Sequence, residues 1–199
     1  MKLLIATRNR GKKREYARLL QGLEVELITL DDLSVTKTIK EDGASYTENA
    51  LLKARGYAAA TGLLTLADDS GLEVDALDGA PGVLTARYAG EGASDEQRYS
   101  LLLEQLKDVP HEHRSARFRC VIALAWPDGR VEITEGVYEG LITREPRGEH
   151  GFGYDPVFYV LEYGCTMAEL PPEIKNRISH RARAAAVASE ILSRRHCSC

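Results

Sequence analysis

Apolar and polar positions alternate along this chain in short blocks, each with a strand-like or a helix-like rhythm. Residues 2–6 form a brief apolar run closed by Thr7, Arg8 and Asn9, which predicts a buried strand. Residues 12–20 place Tyr16, Leu19 and Leu20, with Leu23 beyond, at helical spacing. A further apolar run at 25–30 predicts a second strand. Strand, polar turn, helix and strand open an α/β unit. Ser45-Tyr46-Thr47-Glu48 has the form of a capping box, so a helix is expected to about residue 60, where Thr61-Gly62 stops it. Residues 63–67 read as an apolar strand running into Asp68-Asp69-Ser70-Gly71. Ala80-Pro81-Gly82 reads as a turn, and Ser94 as the cap of a helix carrying Leu101, Leu102, Leu103 and Leu106.

In the second half, residues 118–126 and 130–138 flank Pro127-Asp128-Gly129, the turn chemistry of an antiparallel hairpin. The sheet is therefore mixed. A glycine-rich loop at 150–156 precedes a strand at 157–160. A closing helix runs from Ser179 to about residue 195, with Ala184, Ala185, Val187, Ala188, Ile191 and Leu192. The fold class is α/β, a mixed central sheet flanked by helices. No repeat, low-complexity segment or linker interrupts it, and 199 residues at 44% hydrophobic composition suit one domain over 1–199, with two lobes allowed and the residues after about 192 as a tail.

Charge changes the picture only by exclusion. A net charge of −4 disfavours wrapping a nucleic-acid backbone. No stretch is long and apolar enough to span a membrane, and the N-terminal apolar run is too short for a signal peptide. The cysteines 120, 165, 197 and 199 have no zinc-finger companions, so a reduced, cytoplasmic setting fits better than a disulfide scaffold.

Five segments could carry chemistry. Thr7-Arg8-Asn9-Arg10-Gly11-Lys12 sits between a strand and a helix N-terminus, where unpaired N–H groups and the helix dipole attract phosphate. It is not a Walker A loop, since Lys13 stands where a hydroxyl should hold the metal. A solvated basic turn accounts for it equally well. Asp68 and Asp69 end an apolar strand; adjacent carboxylates repel and are costly to desolvate, and a cation relieves both. Strand alternation points the two in different directions and gives them different tasks. Asp-rich turns are a common alternative. Asn49 and Lys53 are four apart and share a helix face, where Lys53 is either a phosphate ligand or a surface lysine. Gly151-Phe152-Gly153-Tyr154-Asp155 offers close backbone approach, an aromatic for stacking and a carboxylate, or else a tight core turn. In Lys175-Asn176-Arg177-Ile178-Ser179-His180-Arg181, cations fall on the first turn of a helix and oppose its dipole, which points to an anion there, or to ordinary solvation.

Taken together and in order, these segments resemble the Ham1-like inosine triphosphate pyrophosphatase family, whose bacterial members are dITP/XTP pyrophosphatases. The likeness runs from Leu4 to Ala185. It rests on Thr7-x-Asn9-x-Gly11-Lys12, Glu48-Asn49-Ala50-x-x-Lys53-Ala54 and Ala67-Asp68-Asp69-Ser70-Gly71-Leu72. Pro81-Gly82-Val83-x-x-Ala86-Arg87-Tyr88, Phe152-Gly153-Tyr154-Asp155-Pro156 and Ser179-His180-Arg181 complete it. The resemblance implies an elongated mixed sheet with two lobes around a cleft, a homodimer, and Mg²⁺-dependent hydrolysis of purine nucleoside triphosphates between the α- and β-phosphates. Carried over by motif, Thr7, Arg8, Asn9, Arg10, Gly11, Lys12 and Lys53 hold the triphosphate, and Ser70 touches substrate. Asp69 is the base or metal-linked carboxylate. Glu41 is a further Mg²⁺ ligand, with Asp68 a weaker candidate. Phe152, Gly153, Tyr154, Asp155, Lys175, His180 and Arg181 form the base pocket, Arg181 donating to a 6-keto oxygen. Arg8 departs from the small residue usual at its position, and His196-Cys197-Ser198-Cys199 matches no family role. A Maf-like pyrophosphatase acting on pyrimidine nucleotides and a nucleotide sensor without turnover are the competing readings.

Overall fold

The computed structural model describes residues 1–194. The expectation of a tail role for His196 to Cys199 lies outside the described residues. The strands are β1 (Lys2–Ile5), β2 (Glu26–Thr29), β3 (Leu64–Val74), β4 (Ser115–Ala125), β5 (Val131–Ile142), β6 (Phe158–Val160) and β7 (Cys165–Thr166). The helices are α1 (Arg10–Leu19), α2 (Tyr46–Thr61), α3 (Asp95–Gln105), α4 (Pro172–Ile178) and α5 (His180–Arg194). The strand order is β2-β1-β3-β4-β5-β6-β7. β1 pairs parallel with β2 and β3, while β5–β6 and β6–β7 are antiparallel, so the mixed sheet expected from the hairpin is present.

The chain forms two compact units of interleaved segments. Unit 1 comprises Met1–Asp69, Cys120–Gly136 and the chain from His180 onward; unit 2 comprises Ser70–Arg119 and Val137–Ser179. Each unit has its own apolar core. In unit 1, Leu3, Ile5, Leu64, Leu66, Ile122 and Leu124 from the strands pack with Tyr16 and Leu20 of the α1 segment and Ala184, Ala185, Ala188 and Leu192 of α5. The small residues of α5 allow close approach: a Cβ on Gly136 of β5 would lie 2.1 Å from the carbonyl oxygen of His180. In unit 2, Leu72, Val74, Phe118, Tyr138, Phe158 and Val160 pack with Leu102 and Leu106, and with Tyr154.

The ends of the helices follow from capping chemistry, with two shifts from expectation. α1 begins at Arg10, because the Asn9 side chain caps it by accepting the Lys12 N–H at 3.0 Å. α2 is capped by Ser45, whose hydroxyl accepts the Glu48 N–H at 3.2 Å. The Glu48 carboxylate takes the Ala44 N–H instead of closing the box on Ser45. The full reciprocal box occurs at α3, between Ser94 and Gln97. β3 does not end at the aspartates, as the polar residues imply; it continues through them to Val74, so both carboxylates are mid-strand.

Candidate active site

The acidic pair and the basic loop meet inside unit 1. Asp68 is 2% exposed, and its Oδ2 lies 2.8 Å from Lys12 Nζ. The Arg181 guanidinium comes to the same oxygen, Nε at 3.4 Å, while its Nη1 is paired with Glu15. The Cys120 Sγ is 3.7 Å from it as a thiol donor. Burial pushes the Asp68 carboxyl up, yet Lys12, Arg181 and Lys53 outweigh burial and hold it well below the usual carboxylate range. The same burial, with the Asp68 charge beside it, pushes the Cys120 thiol up to about 12. Asp68 is thus a permanent anion facing cations.

Asp69, one residue on, faces α2. Asn49 Nδ2 donates to Asp69 Oδ2 at 3.0 Å, and Asn49 Oδ1 accepts the Gly43 N–H at 2.9 Å, which fixes the amide's orientation. Gly43 is tight here: a Cβ would stand 2.9 Å from that same Oδ1. One turn along, Lys53 Nζ is 2.6 Å from Glu41 Oε2 and donates to the Asp68 backbone carbonyl at 2.7 Å. The four-residue spacing of Asn49 and Lys53 puts both on the buried face of α2. Burial draws the Lys53 ammonium down, but Asp68, Glu41 and Asp69 overcome it and keep it charged. For Asp69 burial is the largest influence and raises the carboxyl. Lys53, Lys12 and the Asn49 bond pull it down by less, Glu41 adds to the upward push, and the result lies above the ordinary Asp range. Two neighbouring carboxyls are therefore driven in opposite directions, the pattern that separates a structural anion from a base.

The loop at 7–12 is partly spoken for. Thr7 Oγ1 accepts the Asn9 N–H at 3.2 Å and Asn9 Oδ1 takes the Lys12 N–H, so these side chains shape the turn. Arg8, expected to add charge for phosphate, instead turns its Nη2 to the carbonyls of Val35 at 2.7 Å and of Thr36 and Lys37 at 3.4 Å. Arg10 is exposed, and Gly11 is buried in the first turn of α1. The first turn of α1 carries the positive end of the helix dipole, which favours an anion.

In unit 2, loop 152–155 is built around anchors. Asp155 is buried; its carboxylate accepts the Phe152 N–H at 2.8 Å and is ion-paired with Lys175. Tyr154 is a core residue whose hydroxyl donates to the Thr85 carbonyl at 3.1 Å. The expectation that Tyr154 and Asp155 meet a base therefore changes: both secure the loop, leaving half-buried Phe152 and Gly153. Lys175 Nζ lies 4.6 Å from the Phe152 ring centre. Ser70 is half-buried at the start of unit 2.

His180 and Arg181 belong to unit 1, on the first turn of α5. Arg181, expected to donate to a 6-keto oxygen, is 2% exposed and directs Nη1 and Nε to Glu15 and Asp68. An anion does oppose its charge at that helix end, but it comes from the chain's own carboxylates. Sequence reasoning passed over Glu15, the acid three residues after Lys12 in an otherwise basic stretch, and gave Asn49 no role at Asp69. Among the described residues no three His, Cys, Asp or Glu side chains gather as a ready-made metal cage. Glu41 and Asp69 still suit a hard cation: both are oxygen donors, Glu41 raises the cost of the Asp69 charge, and Mg²⁺ takes one or two carboxylates and fills its shell with water and phosphate oxygens.

A model of the Ham1 family matches residues 3–191. A dITP/XTP pyrophosphatase of Geobacter sulfurreducens is 53% identical over 191 residues, spanning 96% of this chain and 96% of its own. One of Desulforamulus reducens is 53% identical over 194 residues, spanning 98% of this chain and 96% of its own. Among solved structures, a HAM1 protein from Coxiella burnetii superposes with a TM-score of 0.89 at 46% identity, covering 98% of this chain and 99% of that one. The Staphylococcus aureus Ham1 protein superposes with a TM-score of 0.88 at 38% identity, covering 98% of this chain and 100% of that one.

Proposed function

The chain belongs to the Ham1 family, and from that premise we propose that it hydrolyses non-standard purine nucleoside triphosphates (dITP, ITP, XTP and dXTP) to the monophosphate and pyrophosphate, with Mg²⁺. One observation carries the chemistry: Asp69 is a buried carboxylate held by Asn49 Nδ2 at 3.0 Å, and its neighbour Asp68 brings Lys12 to its side chain at 2.8 Å and Lys53 to its backbone carbonyl at 2.7 Å. Phosphoryl transfer to water needs positioning and charge stabilisation more than covalent catalysis. Lys12 and the first turn of α1 hold the phosphates, and Lys53 adds a buried positive charge. Asp69 orients a water toward the α-phosphorus and takes its proton as the new P–O bond forms. The bond to the oxygen bridging the α- and β-phosphates breaks, and that oxygen leaves with pyrophosphate. The bond from Asn49 Nδ2 at 3.0 Å keeps the carboxylate in place for that proton transfer. Glu41 and Asp69 would hold Mg²⁺, which when bound neutralises phosphate charge. Loop 152–155 takes the base, with Phe152 as its stacking surface.

The reading includes a cytoplasmic homodimer. The described cysteines Cys120 and Cys165 are free thiols, which fits a reducing compartment. No described helix is long and apolar enough to cross a membrane. Light scattering tests the dimer. The activity is tested by pyrophosphate release from ITP, dITP, XTP, GTP, ATP and UTP, with Mg²⁺ and with EDTA. Turnover of the inosine and xanthine nucleotides well above the rest, lost in EDTA, is expected. Equal rates on GTP and ITP would sink the proposed selectivity, and preference for UTP would favour a pyrimidine enzyme.

A further inference from the structure

Loop 152–155 is held from outside as well as by Asp155. Gly153, in the left-handed region at φ +67°, donates its N–H to Asp95 Oδ2 at 2.6 Å. A carboxylate acceptor makes this a charge-assisted bond, stronger than a neutral one. The other oxygen of Asp95 is ion-paired with Arg98, and Arg98 Nη1 donates to the Ala86 carbonyl at 2.7 Å. The adjacent carbonyl, that of Thr85, accepts the Tyr154 hydroxyl at 3.1 Å. Neighbouring carbonyls of one 3-10 turn thus fix consecutive residues of the loop, Tyr154 directly and Gly153 through Arg98 and Asp95. Thr85 is itself tied to β3, its Oγ1 accepting the Leu72 N–H at 2.9 Å.

We propose that Asp95 is a positioning residue for nucleobase binding, setting the backbone of Gly153 and hence the plane of the Phe152 ring. This rests on the reading that loop 152–155 takes the base. Asp95 is also the first residue of α3, where a carboxylate favours the helix dipole. That contribution alters stability and leaves ligand affinity alone, so the two roles separate by experiment.

The test compares Asp95→Ala, Asp95→Asn, Arg98→Gln and Phe152→Ala, with Glu96→Ala as an exposed control on the same turn. KM and kcat are measured for ITP, together with competitive inhibition by inorganic tripolyphosphate, which has no base. Asp95→Ala is expected to raise KM for ITP on the order of tenfold, the worth of one good hydrogen bond. Its kcat stays within about twofold and the tripolyphosphate Ki is unchanged. Asp95→Asn restores most of the affinity, because the amide oxygen still accepts the Gly153 N–H. Arg98→Gln, which leaves the acceptor but loosens it, gives a smaller rise and stands in if Asp95→Ala fails to fold. Glu96→Ala matches the parent. A rise in KM for Phe152→Ala with none for Asp95→Ala or Arg98→Gln overturns the role of Asp95 alone. Unchanged KM in Phe152→Ala as well overturns the assignment of the loop to the base.

Discussion

Replacing each aspartate of the pair by its neutral amide should have opposite consequences. In Asp68→Asn the side chain loses its charge at a site where it is 1% exposed, with Lys12 Nζ at 2.8 Å and Arg181 Nε at 3.4 Å. Breaking a buried ion pair from one side costs about 3–5 kcal/mol, because the partner is left buried and uncompensated. Here Arg181 retains Glu15 and Lys53 retains Glu41, so the lower end, about 3 kcal/mol, is expected. For a chain of this size that lowers the melting temperature by roughly 6–12 °C. The sign of the pH dependence follows from the depressed carboxyl. Its stabilisation is complete above the ordinary Asp value near pH ~4 and fades only as pH falls below it, so the gap between parent and variant should close under acid. In Asp69→Asn the reverse holds. The carboxyl is raised in the fold, so at neutral pH its ionised form is a cost that the amide relieves. Stability should be unchanged or slightly higher, the Asn49 bond can persist, and turnover should fall by about 10²–10⁴-fold with nucleotide binding retained. Calorimetry and pyrophosphate release measure both. A silent Asp68→Asn, or an Asp69→Asn as destabilised as its neighbour, refutes the division of roles.

The acid limb of kcat/KM should move to lower pH as the Mg²⁺ concentration rises, since burial raises the Asp69 carboxyl in the metal-free fold and a bound cation favours its ionised form; a limb that does not respond to Mg²⁺ removes Asp69 from the metal site. Gly136→Ala should destabilise by about 1–3 kcal/mol or more in urea titration, because the added methyl meets the His180 carbonyl at 2.1 Å and the Ala184 nitrogen at 2.6 Å. A neutral result would show that β5 and α5 have room to separate.

Much of the fold was legible because it rests on local chemistry. Asn9, Ser45 and Ser94 cap their helices through their own side chains, and Pro127-Asp128-Gly129 turns a hairpin closed by a Gly129 N–H bond to the Trp126 carbonyl. β3 was under-read because two carboxylates look like the end of a strand. The cations that make them tolerable come from residues 12, 53 and 181, and no local pattern shows that. The partners of Arg181 are hidden for the same reason: a cation at a helix N-terminus calls for an anion, but the order of residues does not name Glu15 and Asp68 as the carboxylates that face it. Arg8 shows the limit of composition, since its charge went to backbone carbonyls at 35–37. Loop 152–155 stood out by its glycines and aromatics. Which of its residues serve as bolts depended on burial, and Asp95 as outside support had no signal beyond a good helix start.

An extended backbone sends successive side chains to opposite faces, and here that alternation sorts two chemically identical groups into unlike surroundings. The same carboxyl is held below its ordinary range on one face and raised above it on the other, with no difference in covalent structure. A frame slip of a single position in β3 would put one aspartate in the other's surroundings and leave Ala67 or Ser70 in the place it vacated. The pairing of β3 with β1, through Leu3 with Leu64 and Ile5 with Leu66, is what keeps each carboxyl in its own surroundings.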